Sequence, residues 1–205
     1  METLAKIIES GLIVKLRPTH NRPVLPCLAA LCSGGVCAAE FPIDNPLTAD
    51  ALRSGSKLFP DLVLGAGDVL SISDCKKAIS AGARYIASTG YSKEIARLCK
   101  EQEILYLPKC MTPSELLEVI EDGGSAAFLF SPHLWGSAEL IDALTGAFPK
   151  LTFLASDSPV SAIPSLCSHP KISAVSLCGL EAVAPEALVG QCYQILHTIV
   201  PNDLY

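Results

Sequence analysis

Hydrophobic positions along the chain fall into two alternating kinds of segment. Short runs of Val, Ile, Leu and Phe read as buried parallel strands, and eight of them occur: Leu12–Leu16, Val36–Phe41, Leu62–Gly65, Tyr85–Ser88, Leu105–Pro108, Ala126–Phe130, Leu151–Ala155 and Ala174–Leu177. Longer amphipathic stretches lie between them and predict helices at Val24–Cys32, Ala49–Leu58, Ile72–Ser80, Lys93–Glu101, Pro113–Glu121, Ala138–Ala147 and Pro185–Val200. A short helix, Glu2–Ser10, precedes the first strand, and Ile163–Ser168 is the weakest helical segment, short and crowded by prolines. Thr48, Ser71, Ser92, Thr112 and Ser137 stand where side-chain oxygens can cap helix starts. Thr112-Pro113-Ser114-Glu115 has the form of a capping box with proline at the first helical position. Gly34-Gly35, Gly82 and Gly123-Gly124 close helices ahead of the next strand.

The strand–helix unit recurs roughly every 22–25 residues, which predicts an α/β fold of the (β/α)8 barrel type with a short N-terminal helix. Eight repeats without a glycine-rich nucleotide turn favour closure over an open, doubly wound sheet. The absence of a linker, low-complexity tract or charge block makes residues 1–205 one domain, and 205 residues suffice for one closed core.

Composition narrows the function. The net charge is −6 and there is no basic run, so no nucleic-acid partner is expected. No apolar run approaches the roughly 18 residues of a membrane span, and no secretory segment is read at the start. Nine cysteines, with no C-x-x-C pair and most inside apolar runs, read as reduced thiols of a cytoplasmic protein.

In a barrel of this kind chemistry gathers where the strands end. The polar residues there are Lys15 and Arg17, Glu40 and Asp44, Asp68, Ser88, Lys109, Ser131 with His133, Ser156 with Asp157, and Cys178-Gly179. Several of these segments carry a likeness. GAGDVLS at 65–71, followed by AISAGARYIASTGYS at 78–92, resembles the KHG/KDPG aldolases, whose GAGTVL turn leads to a helix ending in AGA. Leu107–Leu116 is similar to that family's I-P-G-x-x-T-x-x-E, Leu28–Phe41 to its helix, glycine turn and L-E-V/I-T strand, and Gly11–Arg17 to its first strand.

The resemblance implies a class I keto-acid aldehyde-lyase that releases pyruvate without a cofactor, a small keto acid as its partner, and a homotrimer. It places Glu40 as the general acid/base and Arg17 as the strand-one arginine. At the family's carboxylate-binding arginine it places Asp44, and at the pyruvate-binding threonine Asp68. Asp157 and Ser158, with the substrate-binding candidate Ser156 before them, and Cys178-Gly179 followed by Glu181, fall on the phosphate-side segments. The Schiff-base lysine falls on Leu129, which cannot form an imine. Three readings follow from that substitution. Lys109, or secondly Lys15, supplies a relocated amine; or Glu40, Asp44 and Asp68 hold a divalent cation such as Mg²⁺; or the barrel is non-catalytic and has a binding or structural role.

Overall fold

The computed structural model describes residues 2–20, 24–180 and 183–199. The eight strands are β1 Leu12–Lys15, β2 Ala38–Pro42, β3 Val63–Val69, β4 Tyr85–Ser88, β5 Leu105–Cys110, β6 Ala126–Leu129, β7 Thr152–Ser158 and β8 Ile172–Leu177. They are parallel and close in the order β1 to β8, with β8 paired to β1, which makes the sheet a closed barrel as the pattern predicted.

Helices α1 (Glu2–Ser10), α2 (Val24–Ser33), α3 (Thr48–Leu58), α4 (Ile72–Ser80), α5 (Lys93–Glu101), α6 (Pro113–Glu121), α7 (Ala138–Ala147), α8 (Ile163–Cys167) and α9 (Pro185–Ile199) complete it. The predicted last residue of α9, Val200, lies outside the described residues, as does Glu181. Among the described residues no helix is long and apolar enough to cross a membrane.

Caps form as predicted at Ser71, Ser92, Thr112 and Ser137, each accepting a first-turn amide; Thr112 and Glu115 complete a capping box. Thr48 is a correction. It lies inside α3, and its hydroxyl donates to the Pro42 carbonyl at 2.6 Å, tying the helix back to the end of β2.

Two apolar layers follow from strand alternation. Ile13, Ala38, Val63, Tyr85, Leu107, Phe128, Leu154 and Ala174 pack together inside the barrel, and α1 lays Ile7 and Leu4 against them. The residues next to them in sequence, among them Val14, Ala39, Leu64, Ile86, Leu129, Ala155 and Val175, pack with the surrounding helices. Filling the interior with large side chains at this level makes it a packed core rather than a pore.

Strands β3 and β7 run further than the hydrophobic pattern indicated, and for the same reason. Each contains an aspartate in left-handed backbone, Asp68 at φ 56° and Asp157 at φ 50°, a conformation that aspartate tolerates better than most side chains. Parallel pairing slips at both points and resumes one residue later, Val69 with Ser88 and Ser158 with Leu177.

Candidate active site

The C-terminal mouth of the barrel holds a closed ring of alternating charge. Lys15 Nζ is 2.7 Å from Asp157 Oδ1 and 3.3 Å from Asp68 Oδ2. Lys109 Nζ is 2.8 Å from Asp68 Oδ1 and 2.8 Å from Asp157 Oδ2. The lysines come from β1 and β5, two strands facing each other across the barrel, and the aspartates from the bulged strands β3 and β7 between them. Strict alternation from Gly67 and Ser156 would turn both aspartates toward the helices. The added residue at each bulge aims them at the axis instead.

Beneath the ring lies Glu40, 1% exposed. Its Oε1 is 3.5 Å from Lys15 Nζ, and neither carboxyl oxygen has a hydrogen-bond partner. Gly67 makes room for it, because a Cβ there would stand 2.2 Å from Glu40 Oε1. Gly65 does the same for the Tyr85 ring, whose hydroxyl donates to the Ala39 carbonyl at 3.3 Å.

Protonation follows from burial and neighbours. Burial pushes the Glu40 carboxyl above the ordinary carboxylate range, in spite of Lys15 and Lys109. Burial together with the Glu40 charge raises the Tyr85 phenol as well. For Asp157 burial acts upward too, but the two lysines outweigh it and bring it down to about 2. Asp68 is lowered in the same way by Lys109 and Lys15. Burial opposes the charge on Lys15, yet Glu40, Asp157 and Asp68 together hold that ammonium above the usual lysine range.

The structure thus brings together Lys15, Glu40, Asp68, Lys109 and Asp157. Lys109 is only 3% exposed at its side chain: the barrel encloses it, with the Phe130 ring centroid 5.9 Å from its Nζ. Arg17 and Asp44 stand apart. They form an exposed bidentate pair at 3.1 Å, so each charge is already answered by the other. Ser156 is buried, and its Oγ accepts the Ser131 amide at 3.3 Å.

Leu129 does not enter the barrel. It is fully buried among the residues that pack against the helices, in register with Cys110 and Ala155, whereas its neighbour Phe128 faces inward beside Lys109 and Leu154. No residue of β6 on either face is an amine. Asp44 is engaged with Arg17, which leaves the three carboxylates of the cation reading dispersed, and among the described residues no group of three ligands could hold a metal ion.

Sequence reasoning did not single out Tyr85 or Gly67, and the motif letters gave no sign of their contact with Glu40. It also missed an apolar groove of about 580 Å3 beside the mouth, between α6, the turn Pro132–Leu134 and α7, lined by Met111, Phe130, Leu134, Trp135 and Leu140 among others. His133 lies in that turn, with Nδ1 buried and unpartnered.

Residues 4–175 match the family model described as KDPG and KHG aldolase. The chain belongs to that family. It is 28% identical over 156 residues to the 2-dehydro-3-deoxy-phosphogluconate aldolase of Haemophilus influenzae, an alignment that covers 74% of each chain. It is 24% identical over 162 residues to the protein of that name from Treponema pallidum, covering 78% of this chain and 76% of the relative. Among solved structures, a 4-hydroxy-2-oxoglutarate/2-dehydro-3-deoxyphosphogluconate aldolase from TTHB1 superposes with a TM-score of 0.90 at 27% identity, over 98% of this chain and all of the other. The chain thus shares both its barrel and its sequence with keto-acid aldolases.

Proposed function

We propose that this member of the aldolase family keeps the keto-acid barrel without the imine-forming step, and serves as a binding barrel rather than a lyase. One observation carries this reading: each amine inside the mouth is engaged by two aspartates, and β6 supplies none. An amine attacks a ketone only when neutral and free to approach it; flanking carboxylates hold the Lys15 ammonium above the usual lysine range, and both aspartates already occupy the Lys109 amine. While both aspartates are seated on the lysines, the keto acid's own carboxylate would also meet charges of its own sign.

A second reading has a specific observation behind it. Lys109 pairs in register with Phe128, the inward residue of β6, so its amine enters the mouth from the strand next to β6, the strand that carries the family's lysine. On that reading Lys109 forms the imine and Glu40, whose carboxyl burial pushes above the ordinary carboxylate range, moves the proton. An unphosphorylated substrate such as 2-keto-4-hydroxyglutarate then suits the mouth better than KDPG, since Asp157 stands at a phosphate-side position.

Borohydride reduction in the presence of pyruvate, followed by intact-mass measurement, separates the two. The unmodified mass is expected. A reduced pyruvate adduct mapped to Lys109 or Lys15 would overturn the binding reading and establish the relocated amine. We further propose a cytoplasmic homotrimer. The reduced state suits its nine cysteines, none of which forms a disulfide, and sedimentation of the purified chain tests the stoichiometry.

A further inference from the structure

The two aspartates of the ring make the same contact twice over. Each places one oxygen on Lys15 and the other on Lys109: Asp68 at 3.3 and 2.8 Å, Asp157 at 2.7 and 2.8 Å. The two ammonium groups are therefore spaced to receive both oxygens of one carboxylate, on either side. Phe130 bounds the clamp on the Lys109 side, and burial of both lysines removes much of the competition from water.

We propose that Lys15 and Lys109 form a receptor for a small monocarboxylate, with Asp68 as its exchangeable tethered occupant. Asp68 is the looser of the two bridges. Its contact to Lys15 is the longest in the ring, and its side chain is 35% exposed against 23% for Asp157. Swinging Asp68 into solvent and seating a ligand carboxylate in its place keeps two anions between two cations, so the exchange leaves the ring's charge balance unchanged. Asp157, held at 2.7 and 2.8 Å, stays as the fixed counter-ion. The proposal names the ligand class for the binding role above and rests on that role. Formate and acetate carry no ketone, so their binding is independent of whether any imine forms.

The test is thermal unfolding of the full chain in sodium formate or acetate, against sodium chloride at equal ionic strength. Asp68→Gly removes the tethered competitor and suits the left-handed backbone. Its midpoint is expected to rise saturably with formate, at concentrations about tenfold or more below those the wild type needs, because a tethered group competes at high effective concentration. The response should vanish when Lys109→Met is added. Equal midpoints in formate and chloride for Asp68→Gly would overturn the proposal, and so would a formate response that survives loss of Lys109. Asp68→Asn, which tolerates the same backbone, gives the same reading with the same sign should the glycine variant not fold. Formate line broadening by the wild-type protein is measured alongside; its absence up to the solubility limit would overturn the exchange.

Discussion

The two halves of the barrel interior are built on opposite principles. Toward the N-terminal end, Ile13, Val63, Tyr85, Leu107, Phe128 and Leu154 fill the space with apolar surface under α1. Toward the C-terminal end, five ionisable side chains from five strands share a space that a packed core would fill with leucine. The lower half gains stability wherever water leaves. The upper half must desolvate charges and recovers that cost only while the ring stays complete. Tolerance to substitution should therefore differ in kind: the lower half responds to lost volume, the upper half to lost partners.

The largest effect is expected from Phe128→Ala in the lower half. Deleting a fully buried ring leaves a cavity and should cost about 3–5 kcal/mol in denaturant unfolding, with little dependence on pH. A cost below about 1 kcal/mol would mean that the lower interior is not close-packed.

Lys109→Met in the upper half should come next. It conserves bulk but strips one cation from two aspartates, and since both remain partly wetted, a loss of about 2 kcal/mol is expected at neutral pH. Unchanged or improved stability would show that the ring is electrostatically redundant.

The acid limb sharpens the comparison further. Asp157 has its pKa lowered in the folded state, so its contribution is fully present above the unfolded carboxylate range and is lost as pH falls toward about 2. Linkage puts that contribution at about 2 kcal/mol, and Asp157→Asn should flatten the acid side of the stability profile. An unaltered acid limb would place the proton uptake elsewhere. Arg17→Ala should have the smallest effect, below about 0.5 kcal/mol and weakened further by salt, because its pair with Asp44 is exposed.

Much of the fold was legible because it depends on local signals. Alternation of apolar runs with amphipathic stretches located all eight strands, and capping chemistry located four of five helix starts. Thr48 misled because a threonine one residue inside a helix has the same letters around it as a cap. Its hydroxyl found a carbonyl on β2 that is six residues away in sequence. The site was legible only as an inventory. Lys15, Glu40, Asp68, Lys109 and Asp157 were all identified at strand ends, but as separate candidates for separate roles.

The sequence by itself determined the closed barrel, the family, and the absence of any lysine on the sixth strand. It did so because hydrophobic period, turn chemistry and residue identity are properties of short segments. The tertiary structure decided where the charges point. Two one-residue bulges reverse the faces of Asp68 and Asp157, and strand register turns Leu129 outward while Phe128 faces Lys109. A side chain's face flips with every residue of register, and register is fixed by pairing between strands distant in the chain, so no local pattern could have closed the ring.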